Sequence, residues 1–354
     1  MDVGLQMIFQ NYHGQWADED VVAFELRTGE LAESLGFDKI WPVEHHFTDY
    51  AACPDNTQFL SYLAARTTRI KLATGAVILP WNDPLRVAEK IAFLDHLSKG
   101  RAVLGLGRGL ARREYAGFGI DMSESRGRFD EAARMVLDAL DTGFIEGAGP
   151  FYPRAKTAIR PRPLGGFRDR LYAVGMSPES VLQAAELGAR LMVFSQMPWE
   201  MFAEQTLPVY RGHYRKVHGR EAPPVLTVDL LVCHADAARA EALARQHMAA
   251  YYVEVMRHYE IMSEHFKQLR GYDHYAGAAD VLKLMKLEDV AAAYTDVQTW
   301  GTPEAIVEKL RRRRSLLGDF ELSVIVGYGG MPFDEAERSL RLFASDVLPA
   351  LRGW

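Results

Sequence analysis

Ile70-Lys71-Leu72-Ala73-Thr74-Gly75-Ala76-Val77-Ile78-Leu79 is a run of mostly aliphatic residues. It is followed by a 3.6-periodic segment over Pro84–Leu97 and then by a second aliphatic run, Arg101–Arg108. Apolar strands joined by a helix-length segment read as neighbours in a parallel sheet covered on both faces. The same alternation continues in both directions. Strands are predicted at Val3–Gln10 and Lys39–Glu44 upstream, and at Leu171–Met176, Leu191–Ser195, Val225–Cys233 and Leu322–Tyr328 downstream. Further helices are predicted at Asp18–Leu35, Thr57–Thr67, Ser125–Leu140, Pro178–Leu187, Trp199–His218, Ala237–His258 and Pro303–Leu316, closed by Asp334–Leu351. Glycine just past an apolar stripe marks helix ends at Gly36, Gly188 and Gly318. A hydroxyl followed by proline marks helix starts at Ser177-Pro178 and Thr302-Pro303. Eight strands alternating with helices predict an α/β chain folded as a (β/α)8 TIM barrel, in preference to an open doubly wound sheet.

Two stretches exceed an ordinary connection. Phe144–Arg170 is rich in Gly, Pro and Arg and is expected to form a hairpin excursion; Tyr259–Trp300 is polar and aromatic, with weak helical periodicity, and is a candidate lid. Residues 1–354 are otherwise expected to form a single barrel domain.

Composition narrows the function classes. Of the 354 residues, 48% are hydrophobic and 25% charged, the balance of a soluble globular protein. Lys plus Arg number 41 against 47 Asp plus Glu, a net charge of −6 with no basic block, which argues against a nucleic-acid partner. Cys53 and Cys233 are far apart and form no CxxC or disulfide pattern, which fits a reducing compartment. No apolar run reaches the ~18 residues of a membrane span, so no membrane association and a cytoplasmic location are expected.

Four places could carry chemistry. Glu44-His45-His46 ends the second strand; side chains alternate along a strand, so at most one of the two histidines enters a given site, and adjacent histidines do not suit a metal. The competing reading is a histidine that merely caps the strand. Gly105-Leu106-Gly107-Arg108-Gly109 lacks the GxGxxG frame of a dinucleotide loop. It leaves a glycine-lined approach beside an arginine suited to phosphate, or else a tight barrel turn with a solvent-facing arginine. Gly175-Met176-Ser177-Pro178-Glu179-Ser180 opens a helix, where unpaired amides favour an anion, although Ser177 could be an N-cap alone. The third place and Arg108 would come from neighbouring strands, so one phosphate could meet both. Thr74-Gly75-Ala76 puts small residues inside a β-branched strand, which suits a bulge or an unusual peptide beneath a planar ligand, or packing alone.

Six segments stand in the order found in one family: Glu44-His45-His46-Phe47-Thr48, Thr74-Gly75-Ala76-Val77-Ile78-Leu79-Pro80, Leu97-Ser98-Lys99-Gly100-Arg101, Gly107-Arg108-Gly109-Leu110, Gly301-Thr302-Pro303 and Ser345-Asp346-Val347-Leu348-Pro349. In these the chain resembles the bacterial luciferase-like flavin monooxygenases, the luciferase α chain in particular, almost from end to end. The resemblance implies reduced FMN (FMNH2) delivered by a separate flavin reductase, O2 as co-substrate, a C4a-peroxyflavin, and oxygenation of a small carbonyl compound by aldehyde or Baeyer–Villiger-like oxidation. It implies an active-site role for His45. The cofactor-binding set it implies is Thr74, Gly75, Ala76, Arg108, Leu110, Gly175, Met176, Ser177 and Ser180, with Arg108 on the phosphate, a non-prolyl cis peptide at Gly75–Ala76 and no metal. Lys283 and Lys286 fall in the segment that matches a mobile lid, and a homodimer is expected. The chain departs from the luciferase α chain at Gly107, where the relative has a reactive cysteine, and at Gln196, which replaces a tryptophan. Light emission and substrate identity therefore do not carry over. The alternatives are an F420-dependent hydride-transfer oxidoreductase on the same barrel and a non-catalytic flavin-binding partner subunit.

Overall fold

Eight parallel strands close on themselves in the computed structural model, which describes residues 1–354. They are β1 (Val3–Met7), β2 (Lys39–Pro42), β3 (Lys71–Ala73), β4 (Ala102–Gly107), β5 (Leu171–Val174), β6 (Arg190–Phe194), β7 (Val225–Cys233) and β8 (Phe320–Ile325). Each pairs with the next in sequence, and β8 pairs back onto β1 with Val3 opposite Leu322. Helices lie between the strands, so the (β/α)8 barrel expected from the alternation is the fold. No helix is long and apolar enough to cross a membrane.

In two strands the departure from the predicted extent has a distinct local cause. The first ends at Met7 rather than Gln10, because Phe9 takes a positive φ of 53° and donates its N–H to Glu25 Oε1 at 2.8 Å. The third is interrupted, with Lys71–Ala73 followed by a short second piece, Val77–Ile78. Ala73 pairs with Val103 and Val77 with Leu106, so four residue steps face three, a one-residue bulge. Thr74 staples it: its hydroxyl donates to the Gly105 carbonyl at 2.9 Å and accepts the Gly105 N–H at 2.8 Å. The Gly75–Ala76 peptide within the bulge is cis.

The glycines of β4 serve this packing. A Cβ on Gly105 would lie 2.1 Å from the Thr74 carbonyl oxygen, and one on Gly107 would lie 2.6 Å from Ile78 Cδ1. The open backbone approach that the sequence suggested there is filled by the neighbouring strand.

The insertion after the fourth barrel helix holds the expected hairpin, Phe144–Gly147 against Arg154–Ala158. The 259–300 insertion divides in two. Its second half is barrel wall: the helix Leu287–Val297 packs on Ala237–His258 and buries Ala291, Tyr294 and Thr295, and Thr299–Gly301 adds to the end of β7. Gln298 locks that half down, donating to the Ser195 carbonyl at 2.6 Å and accepting the Leu230 N–H at 2.8 Å. The first half, 259–286, lies over the loop after β4, where Phe266 and Tyr272 are buried with Tyr115 and Met122.

Candidate active site

Past Pro42 the chain leaves β2, and its two histidines take different surroundings. His46 Nε2 lies 3.5 Å from Glu44 Oε1, among Trp81 and Phe118. Glu44 itself accepts hydrogen bonds from Trp81 Nε1, Asn82 Nδ2 and the Ile78 N–H, so it ties the loop after β3 to that after β2. His45 points elsewhere. Its Nδ1 is 3.0 Å from Glu114 Oε1 and its Nε2 is 3.3 Å from the Tyr259 hydroxyl.

Glu114, on the short helix Arg112–Gly117, is 1% exposed. The same Oε1 accepts the His46 N–H at 2.8 Å. His258, the last residue of its helix, lies edge-on to His45 and stacks on Tyr50 at 4.2 Å. Burial, reinforced by the neighbouring His45, depresses the His258 pKa to about 2, so this imidazole is neutral. Its Nδ1 is 3.3 Å from the Thr48 hydroxyl; its Nε2 has no hydrogen-bond partner and lies 4.0 Å from Glu114 Oε1.

His45, Glu114 and His258 thus offer three ligand atoms within 4.8 Å of one another. Glu114 and His258 come from segments distant in sequence from His45. Glu114 Oε1 stands at the centre of the group, accepting the His46 N–H and lying 3.0 Å from His45 Nδ1.

A second group forms beyond β4 and β5, which are neighbours in the barrel. The Arg108 guanidinium lies 4.4 Å from the centre of the Tyr272 ring, and Tyr272 is held by a 2.9 Å hydrogen bond to Ser125. Arg108 Nη1 is buried without a partner, and so is Arg126 Nη2. Burial and the nearby Arg108 both lower the Arg126 pKa, while Asp130, 4.0 Å from Arg126 Nη1, and Glu179 at the start of the next helix oppose the shift. Each of two neighbouring guanidinium groups thus keeps one buried nitrogen without an acceptor.

The adjoining helix, Pro178–Glu186, starts with a reciprocal cap. Ser180 Oγ accepts the N–H groups of Met176 and Ser177 at 3.0 and 2.9 Å and donates to the Ser177 carbonyl. Ser177 is an N-cap, and the Met176 and Ser177 amides at this helix start converge on one hydroxyl. Gly175 is buried, with its N–H on the Met192 carbonyl.

Between the two groups lies the cis peptide. The Gly75 carbonyl accepts from Gln6 Nε2 of β1 at 2.9 Å and the Ala76 carbonyl from Asn56 Nδ2, at the start of the helix Asn56–Arg66, at 3.0 Å, so both are held by buried side chains. The Thr74 hydroxyl is committed to β4, and Leu110 packs against the aromatic cluster of Tyr115, Phe266 and Tyr272.

Sequence reasoning missed Glu114, His258, Tyr259, Arg126, Gln6 and Asn56, none of which stands in a recognisable motif. The predicted lid lysines lie apart from both groups: Lys283 pairs with Glu264, and Lys286 is an exposed residue at a helix start. Gln196 is exposed beyond β6.

Comparison with known proteins adds four relations. Residues 1–319 match the family described as luciferase-like monooxygenase. The alkanal monooxygenase alpha chain of Photorhabdus luminescens is 26% identical over 344 residues, covering 96% of this chain and 94% of that one. The crystal structure of monooxygenase RslO1 from Streptomyces bottropensis superposes with a TM-score of 0.80 at 27% identity, over 99% of this chain and 100% of that one. The oxygenating constituent of 3,6-diketocamphane monooxygenase from Pseudomonas putida, a type II Baeyer–Villiger monooxygenase in complex with FMN, shares the fold. Its TM-score is 0.75 at 16% identity, over 99% of this chain and 98% of that one.

Proposed function

The chain belongs to the luciferase-like monooxygenase family, and from that premise we propose that it is a reduced-FMN-dependent monooxygenase acting on an aldehyde or ketone. The observation that carries the reading is the pair of buried, unpartnered guanidinium nitrogens, Arg108 Nη1 and Arg126 Nη2, beside the capped helix start at Ser177. Buried donors without acceptors are uncommon in native proteins and mark a missing partner. Two such cations suit a terminal phosphate monoester, which carries ~2 negative charges at neutral pH. The longer tail of F420 joins its phosphate as a diester with a single charge, a poorer match to the pair.

In this reading Arg108, Arg126, the amides of Met176 and Ser177 and the hydroxyls of Ser177 and Ser180 hold the phosphate. The Gly75–Ala76 peptide, steadied by Gln6 and Asn56, supports the ring, with Gly175 and Leu110 at the edges. Reduced FMN supplies the activation of O2, and a separate reductase supplies the reduced flavin, in keeping with the missing nicotinamide fingerprint. His45 holds or moves a proton at its Nε2, and the 259–286 segment shields the site from water. Exposed Tyr62, Phe93 and Leu97 on the adjacent helices Asn56–Arg66 and Pro84–Leu97 provide an apolar face for a homodimer.

The test is to load the protein anaerobically with reduced FMN and mix it with oxygenated buffer and a panel of aldehydes and ketones. An acid or ester product is expected, with turnover lowered on the order of 100-fold in His45→Ala. Failure to oxygenate any of them, together with carbonyl reduction on reduced F420, would move the protein to the hydride-transfer class.

A further inference from the structure

Glu114 is a buried carboxylate whose only ion-pair partners are imidazoles, His45 and His258. One of the hydrogen bonds at its Oε1 comes from the backbone N–H of His46, which cannot be anything but a donor. The other, 3.0 Å long, involves His45 Nδ1. An ionised carboxylate only accepts hydrogen bonds, so a lone pair on Nδ1 would face it with no proton between them, and Nδ1 must carry the hydrogen. The opposite side of the ring accommodates the same tautomer. Burial, with Glu114 nearby, pushes the Tyr259 phenol well above its ordinary value of 10, so Tyr259 stays protonated, and with the hydrogen on Nδ1 its O–H is placed to donate to Nε2 across 3.3 Å.

Resting on the flavin reading above, we propose that Glu114 is the positioning residue of His45, fixing its proton on Nδ1 so that His45 exchanges protons only through Nε2, on the side of the Tyr259 hydroxyl. The step balances within these groups. A proton arriving at Nε2 forms an imidazolium that already faces the Glu114 carboxylate, and its departure restores the neutral ring. Tyr259 is the first residue of the 259–300 insertion, so its hydroxyl couples the covering segment to the imidazole. His258, neutral and stacked on Tyr50, completes the wall around Glu114 and keeps water from it.

The assignment is tested by nitrogen NMR on the full-length protein labelled at histidine nitrogens, without flavin, using His45→Gln to identify the resonances that belong to His45. The expected spectrum at neutral pH shows a protonated Nδ1 and an unprotonated Nε2. Glu114→Gln, whose amide can donate to Nδ1, should move the ring to the other tautomer or to a mixture and lower kcat on the order of 100-fold or more, with little change in KM. Tyr259→Phe should keep the tautomer, shift the Nε2 resonance and leave affinity for reduced FMN unchanged. A wild-type ring protonated at Nε2, or a tautomer indifferent to Glu114→Gln, overturns the proposal. Should Glu114→Gln fail to fold, the wild-type spectrum still decides. The expected tautomer in a protein that does not bind reduced FMN would remove the flavin reading and leave the positioning role of Glu114 standing.

Discussion

Buried charge gathers at both ends of the barrel, and the two clusters are built to different plans. At the N-terminal end of the strands Lys39 Nζ reaches Asp2 at 2.6 Å and Glu321 at 2.9 Å. Arg190 also reaches Glu321 at 2.9 Å, and the Tyr172 hydroxyl donates to the same carboxylate at 2.9 Å. The surrounding acids hold the Lys39 ammonium well above its ordinary pKa, so the cluster stays charged. At the C-terminal end Arg108 and Arg126 leave guanidinium nitrogens open, and each makes the other less favourable. A cluster whose charges close on one another holds the barrel together. One that leaves donors open spends folding stability on readiness to bind.

The largest expected effect lies in the closed cluster. Glu321→Gln removes the negative charge that Lys39 and Arg190 share and should cost about 3–5 kcal/mol of stability, read from the urea midpoint at constant m value. At the open end Arg108→Ala should leave the urea midpoint unchanged or raise it, because it relieves a like-charge contact with Arg126. The same change should weaken anaerobic binding of reduced FMN by about 1.5–3 kcal/mol, the scale of a charged hydrogen bond. Comparable stability losses in the two variants would erase the distinction between the clusters, and unchanged flavin affinity would take Arg108 off the phosphate.

The two ends were not equally legible in the sequence. The barrel was, because strand and helix periodicities are local and repeat along the chain. Val225–Cys233 matches its predicted span, and the other strands differ by a few residues at the ends. His45, Arg108 and Ser177 stood out because each occupies a strand end or helix start, where polar residues interrupt an apolar pattern. Glu114, Arg126, His258 and Tyr259 could not be found that way. They sit in stretches of ordinary helical composition, and only the closure of the barrel brings them to His45 and Arg108. Glycines misled in the opposite sense: Gly105 and Gly107 look like room for a ligand, and the space is taken by Thr74 and Ile78. The second half of the 259–300 insertion misled similarly. Ala291, Tyr294 and Thr295 have helical spacing, yet they stand in a stretch far longer than an ordinary connection, a length that favours a lid.

A third buried charge, Glu25, follows neither plan and sharpens the comparison with the smallest effect. It is 4% exposed on the helix Asp18–Ser34, accepts the Phe9 N–H at 2.8 Å, and has no cation beside it. Burial raises its pKa from 4.5 to about 8, with the Phe9 and Ile8 amides opposing the shift. Between those two values the folded protein keeps a proton that the unfolded chain releases. The contribution of Glu25 to stability is therefore complete below about 4.5, declines as pH rises, and is lost through about 8. The slope should be at most ~1.4 kcal/mol per pH unit, the value of one proton. Glu25→Gln keeps an acceptor for Phe9 and removes the titration, so the difference in stability between wild type and variant should shift in favour of the variant from pH 5 to pH 8. A difference that stays flat across that range would mean the carboxylate is ionised and compensated, which would place Glu25 with the closed cluster around Glu321.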